Sequence, residues 1–323
     1  MGNHFNRKDL VYTVYQEKSI SKAAQKLFAS QPSLSIMIRK IEEEIGMPLF
    51  DRTSKPIRLT EAGMEYIKAT EAILHIEKAF ENYINATNEL MTGSLTIGGN
   101  QLLSSLVLPK YISEFIRSYP NIQLQLEDDN SLALENLIST GQLDLVIDNR
   151  KLDSEVFEQR LWRTETLLLA VPVSFECNRG MDEYQLREED VLSGAYLSDT
   201  VKPVALEAFN DIAFISMTKD NDTRKRSDEI LRQAGISPHV ILEIDRLVTL
   251  YNFIEIGTAA SIVSDTLVRH IQHHDGKVFF YRLASPHAQR DIYVSYKRNR
   301  YYSKAMQAFV ELMFGGEKQP EED

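Results

Sequence analysis

The 323-residue sequence predicts a mainly α N-terminal module, one long helix and an α/β body of two subdomains. Three observations point there. Residues 6–46 carry three apolar-periodic runs separated by very short breaks. Residues 60–92 contain no proline and, after Gly63, no glycine. From Thr92-Gly93 onward, short strand-like runs alternate with helical ones, the pattern of sheets covered by helices.

In the first run, Leu10, Val11, Val14 and Tyr15 recur at helical spacing between Asn6 and Glu17, with Asn6 in a capping position. A second helix fits Ser21 to Phe28, with Ser21 as N-cap and the small pair Ala23-Ala24 allowing another backbone to approach. Only Ala29 and Ser30 precede the third helix. Ser30 can cap it, while Gln31 and Pro32 occupy a first turn whose amides have no helical partners anyway. Leu34, Ile38, Ile41 and Ile45 form its apolar stripe, Gly46 stops it, and Pro48 lies just beyond.

Two helices joined by so short a turn, the second opening on polar groups, have the layout of a helix-turn-helix. In that motif the first turn of the second helix enters the major groove of DNA. Gln31 is long enough for a bidentate pair with adenine N6 and N7, and Ser33 and Ser35 can reach base edges or phosphates. Gln31, Ser35 and Arg39 read as one face opposite the stripe. Phe50 to Leu59 reads as a short hairpin, a wing whose basic and hydroxyl residues rest on the DNA backbone. The alternative is a small helical bundle with a solvated basic face.

Charge distribution favours DNA. The whole chain is −11, yet residues 1–60 hold ten Lys/Arg against six Asp/Glu, which leaves +4 there and −15 in the rest. A small basic module on an acidic body suits a protein that meets phosphate at one end only. With 43% hydrophobic and 26% charged residues, the balance is that of a soluble globular chain. The longest apolar runs, such as Leu167 to Val173, are too short to span a bilayer, and the N-terminus lacks the apolar stretch of a secretory signal. Cys177 is the single cysteine, so no internal disulfide can form. The expected location is the cytoplasm, with no membrane partner.

The stretch SISKAAQKLFASQPSLSIMIRKIEEEIGMPLFDRTSKPIRLTEAG closely resembles the winged helix-turn-helix of the LysR-type transcriptional regulators. Ala23-Ala24, Leu27, Ser30-Gln31-Pro32, Ser35, Ile38, Glu42, Gly46, Leu49-Phe50, Arg52, Leu59-Thr60 and Ala62-Gly63 all fall on that family's pattern. The family often carries polar or basic residues where Ile36 and Met37 stand, and apolar contact to thymine methyls is what these two offer instead. The candidate DNA-contacting set is Ser21, Ser30, Gln31, Pro32, Ser33, Ser35, Arg39, Arg52, Thr53 and Lys55.

Along the long helix, Tyr66, Ala69, Ile73, Ile76, Phe80, Tyr83, Thr87 and Leu90 alternate spacings of three and four, an a/d seam that calls for a partner helix. Packing against its own domain is the alternative. A dimer made here would suit a pseudo-palindromic site. The family resemblance implies a tetramer built as a dimer of dimers and bending of promoter DNA, with RNA polymerase a further candidate partner.

In the body, strands are read at Leu95–Ile97, Ile122–Leu126 and Leu143–Ile147, near 277–283 and near 291–296. Helices are read at Leu102–Tyr119, Ser131–Thr140 and 301–314, with further alternation through 165–272 and sheets expected to be mostly parallel. GQLDLVID (Gly141 to Asp148) and LVTLYNFIEIGTAASIVSD (Leu247 to Asp265) resemble the family's landmarks. The resemblance implies the fold of bacterial periplasmic solute-binding proteins. Domains are therefore placed at 1–60, a winged helix-turn-helix; 61–92, a linker helix; and 93–323, an effector domain. Its subdomain I covers about 93–166 and 269–323, and subdomain II about 167–268. Ligands in open α/β sheets sit at the carboxyl ends of strands, near helix N-termini. Those places give Asn100, Gln101, Asn130, Ser131, Asp148, Ser198 and Thr200 as candidates to hold a small-molecule effector, with the acidic Asp128, Asp129 and Asp148 weighing against an anion.

Enzyme chemistry finds little support. His270, His273 and His274 stand at helical spacing without a partner carboxylate motif, Gly98-Gly99 is only a fragment of a phosphate loop, and Ser174 and Cys177 lack a nucleophile context. No catalytic residue, metal or cofactor is expected. A solute-binding protein alone would fit the body but not the N-terminal module.

Overall fold

The computed structural model describes residues 4–54, 56–87, 92–219, 221–271, 276–298 and 300–315. They divide into two compact units, one of residues 1–90 with the short segment 139–142, the other of the remainder.

The first unit contains α1 (Lys8–Glu17), α2 (Ile20–Lys26), α3 (Gln31–Ile45), the hairpin β1 (Phe50–Asp51) and β2 (Arg58–Leu59), and α4 (Glu61–Thr87). Val11, Val14, Ala23, Ala24, Leu34, Ile38, Ile41, Leu49 and Phe50 form its core. Two caps differ from expectation. Arg7, not Asn6, precedes α1, with no side-chain cap bond. Ser19, in extended backbone, caps α2 by accepting from the Lys22 amide at 3.4 Å, so Ser21 lies inside the first turn. Ser30 and Gly46 bound α3 as expected, Gly46 at φ +81°. At Gly63 an added Cβ would stand 2.0 Å from the Leu49 carbonyl oxygen, so only glycine lets α4 start this close to the wing.

Tyr66 belongs to this core rather than to a free seam. It is buried, donates its hydroxyl proton to the His4 carbonyl at 2.9 Å, and stacks on Phe5. Farther along α4, Ile76 is 69% and Phe80 62% exposed. Ala69 and Ile73 are half-buried. The helix continues past Tyr83 to Thr87, while Leu90 lies outside the described residues.

The second unit begins with β3 (Gly93–Gly99), a π-helical turn at Leu103–Val107, α5 (Leu108–Ser118), β4 (Ile122–Asp128), α6 (Ser131–Thr140) and β5 (Leu145–Asp148). The 16-residue β6 (Phe157–Pro172) follows, then α7 (Glu188–Ser193), β7 (Ala213–Met217), α8 (Asp222–Gln233), β8 (His239–Ile244) and α9 (Leu247–Glu255). It closes with β9 (Ser261–Ser264), α10 (Asp265–His270), β10 (Val278–Arg282), β11 (Gln289–Lys297) and α11 (Lys304–Gly315).

Strand directions are mixed, which corrects the expectation of mostly parallel sheets. β3 runs parallel to β4 and β5, and β7 to β8, but β6 pairs antiparallel with β9, β10 and β11, and β11 with β5. Long β6 serves two lobes. Its first half pairs with β11 and packs Trp162 with Leu95, Phe115, Ile292 and Phe309. Its second half pairs with β9 and β10 and buries Leu168 and Ala170 against Tyr251 and Phe280, and Leu167 and Leu169 against Phe209 and Phe214. Because β10 belongs to that second half, the return to the first lobe comes with β11, later than the residue 269 read from sequence.

Candidate DNA-reading surface and ligand cleft

Recognition-helix geometry follows from local chemistry. Ser30 Oγ accepts from the Ser33 amide at 3.2 Å and lies 2.8 Å from Ser33 Oγ, so both hydroxyls help to start α3. The turn before it passes through Phe28, a non-glycine residue at φ +52° whose side chain is 100% exposed. Gln31, Pro32, Ser33 and Arg39 are exposed and Ser35 half-buried. At about 100° per residue, Ile36 falls opposite Leu34, Ile38 and Ile41, and it is 57% exposed. The side chain aimed farthest from the core is therefore Ile36, with Pro32 and Arg39 beside it; Ser35 and then Gln31 fall on one side of that line, Gln31 nearest the stripe, which corrects its placement opposite the stripe.

Glu42 fastens the wing to α3. Its Oε1 accepts from the Leu49 and Phe50 amides at 2.9 and 3.2 Å, and its Oε2 from Arg52 Nη2 at 2.7 Å. Arg52, read from sequence as a phosphate contact, thus also holds the hairpin in place. The Asp51 carboxylate accepts from the Thr53 hydroxyl at 2.6 Å and the Thr53 amide at 2.9 Å, which lowers its pKa and shapes the wing tip. Ser21 is exposed on α2. Lys55 lies outside the described residues.

The second unit carries a polar cleft of about 420 Å³ between its lobes. From the first lobe, Asn100, Gln101, Asp128, Asp129, Asn130, Ser131 and Asn149 line it, at the carboxyl ends of β3, β4 and β5. From the second come Thr218, Asn221, Asp222 and Thr223 after β7, and Asp245, Arg246 and Leu247 after β8. Four of the seven sequence candidates meet here: Asn100, Gln101, Asn130 and Ser131. Asp148 is buried beneath the cleft, accepting from Asn100 Nδ2 at 2.8 Å. Ser198 and Thr200 are a correction. They follow a 3₁₀ turn rather than a sheet strand, bond each other at 2.8 Å, and do not line the cleft. The opposing wall of Thr218, Asn221, Asp222, Thr223 and residues 245–247 obeys the same strand-end rule, although it is not among the sequence candidates.

Arg290, 5% exposed, closes the cleft floor. Its Nε donates to Glu165 Oε1 at 2.6 Å, and its Nη1 to Asp222 Oδ2 at 2.8 Å and Thr223 Oγ1 at 3.1 Å. Asn149 Nδ2 donates to the same Glu165 oxygen at 2.9 Å, and Asn100 Nδ2 to Asn149 Oδ1 at 3.0 Å. One polar chain therefore runs from the end of β3 to the start of α8. Burial opposes ionisation of Glu165 and Asp222, yet Arg290, joined at Asp222 by Arg226, outweighs it and holds both pKa values below the ordinary range. With its amide turned to satisfy both neighbours, Gln101 donates to the Asp245 carbonyl at 3.2 Å and accepts from Arg246 Nη1 at 3.0 Å, a second link between lobes.

Other candidates stay quiet. His270 Nδ1 lies 2.9 Å from the Thr266 carbonyl, and His273 and His274 fall outside the described residues. No cluster of three metal-ligating side chains occurs among the described residues, and no described helix is long and apolar enough to cross a membrane. Burial raises the Cys177 pKa, which disfavours the reactive thiolate.

A groove-reading helix with its wing, joined to a two-lobed α/β body with a polar cleft, defines a DNA-binding regulator with a sensing domain. Residues 6–64 match the bacterial regulatory helix-turn-helix of the lysR family and residues 88–315 the LysR substrate binding domain; the chain belongs to the LysR family of DNA-binding transcriptional regulators, which are not enzymes. It is 27% identical over 309 residues to a probable RuBisCO transcriptional regulator of Cyanidioschyzon merolae, covering 92% of this chain and 93% of that one. Its fold is similar to that of a full-length OxyR variant from Pseudomonas aeruginosa, with TM-score 0.66, 19% identity, and 95% and 91% of the chains covered. It is also similar to full-length CbnR complexed with target DNA, with TM-score 0.64, 18% identity, and 95% and 98% covered.

Proposed function

We propose that a small molecule held in the cleft sets the angle between the two lobes and thereby changes how the protein binds and bends promoter DNA. The observation that carries this is the position of Arg290. It stands at the start of β11, lines the cleft, and bonds to Glu165 on β6, the strand that serves both lobes, and to Asp222 and Thr223 at the start of α8 in the second lobe. A ligand touching those groups changes the balance between lobe arrangements by its differential affinity for them, typically about 1–3 kcal/mol.

On the DNA side, the working surface is Gln31, Pro32, Ser33, Ser35, Ile36 and Arg39 for bases and nearby phosphates, with Arg52 and Thr53 on the backbone. CbnR, whose fold this chain shares, was solved with its target DNA. Exposed Ile76 and Phe80 support a dimer through α4, and two-fold pairing suits a palindromic operator. A tetramer, contact with RNA polymerase and a cytoplasmic location complete the proposal. The test is a thermal-shift screen of metabolites on the full chain, followed by operator bending assays with each hit. Hits that Asp222→Asn or Gln101→Ala fail to weaken would place the ligand elsewhere.

A further inference from the structure

Resting on that cleft reading, we propose that the molecule bound there carries an ammonium group and is a small amine rather than a simple carboxylate. The charges of the lining point this way. Four carboxylates, Asp128, Asp129, Asp222 and Asp245, face two guanidinium groups, Arg246 and Arg290. Arg290 is already engaged by Asp222 and, beneath the floor, by Glu165. Asp148 adds another buried carboxylate under Asn100. Asp129 Oδ1 accepts from the Asn130 amide at 2.7 Å and from Asn130 Nδ2 at 3.1 Å, yet it keeps its charge, so Asp128, Asp129 and Asp245 at the mouth still outnumber Arg246.

The second observation concerns the backbone amides that an anion would need. Helix starts attract anions because their first amides lack partners. Here three of the starts around the cleft are filled by asparagine side chains. Asn100 Oδ1 accepts from the Leu103 amide at 3.1 Å, Asn130 Oδ1 from the Leu132 and Ala133 amides at 3.1 Å each, and Asn221 Oδ1 from the Thr223 amide at 2.8 Å. Among the helix starts around the cleft, only that of α9, beside Arg246, has no side-chain cap; elsewhere a carboxylate would meet carboxylates and capped helix starts, while an ammonium would meet acceptors in excess. Partial burial raises the pKa of Asp128, with Arg246 opposing and Asp129 adding to the rise, so a ligand cation would add to the compensation that Arg246 gives this largely exposed carboxylate.

Titration calorimetry on the full-length protein with three four-carbon probes separates the outcomes: 1,4-diaminobutane, 4-aminobutanoate and succinate. Both amines are expected to bind and to raise the melting temperature, with succinate inert. Asp128→Asn should weaken the amines about tenfold, the scale of one hydrogen bond to a charged group. Asp128 is exposed, so that variant keeps its fold, and Asp245→Asn on the other wall provides a second reading. Succinate binding that Arg246→Met abolishes, with neither amine bound, overturns the ammonium assignment and leaves the cleft reading standing. Amine binding indifferent to both aspartate variants overturns the two together. No binding by any of the three probes overturns the ammonium assignment.

Discussion

Glu165 and Arg290 are register partners on the paired strands β6 and β11, with Arg290 Nε 2.6 Å from Glu165 Oε1 and both side chains buried. Such a pair contributes little net stability when whole, but a lone buried charge is costly. Arg290→Met should therefore destabilise the second unit by about 3–5 kcal/mol, and adding Glu165→Met should recover part of that loss. Urea titration of the three proteins checks this. A double variant no more stable than Arg290→Met would show that the charges do not act as a pair.

Acid should weaken the same junction. The folded pKa of Asp222 is depressed, so its contribution is complete above the ordinary carboxylate pKa of about 4 and is lost as pH falls through the folded value. The stability gap between wild type and Asp222→Asn should be flat near neutral pH and narrow on acidification below about pH 4. A gap that widens in acid would put the charge in the wrong role.

At the DNA surface, Gln31→Ala should cost roughly 1–3 kcal/mol on the specific operator and relax preference at one base pair. Arg52→Ala should weaken specific and random DNA alike and lower the salt slope by about one unit, whereas Glu42→Gln should loosen the wing without changing that slope. Fluorescence anisotropy across a salt series distinguishes them. Equal weakening by Gln31→Ala on both DNAs would reduce that residue to positioning.

Much of this was legible because it is local. Ser30, Pro32 and Gly46 mark the ends of α3 through backbone chemistry within one turn, and the hairpin follows from Pro48 and the short apolar flanks. The cap of α2 is Ser19 and not Ser21; a serine stands on each side of Ile20, and only backbone conformation tells which one leaves the helix. Strand direction was illegible for a different reason. β6 chooses partners as far along the chain as Lys297, which pairs with Phe157, and no local period records that choice. The far wall of the cleft is hidden by the same long-range pairing, since Thr218, Asn221, Asp222 and Thr223 gain meaning only once β7 lies in the second lobe beside β8.

Ile76 and Phe80 are expected to meet a second copy of this chain. Replacing both with Asp places like charges in an apolar interface, where desolvation is unfavourable. Sedimentation should then show a smaller species with unchanged secondary structure. An unchanged oligomer would move the interface off α4.

The lobe-angle claim is tested most directly by energy transfer between dyes at the two ends of an operator fragment bound by the full-length protein, with and without a cleft ligand identified by thermal shift. The expected result is a change in end-to-end distance on adding ligand, larger in effect than any change in DNA affinity, and absent in Gln101→Ala. A ligand that stabilises the wild-type protein yet leaves the distance unchanged would contradict the coupling between cleft and DNA.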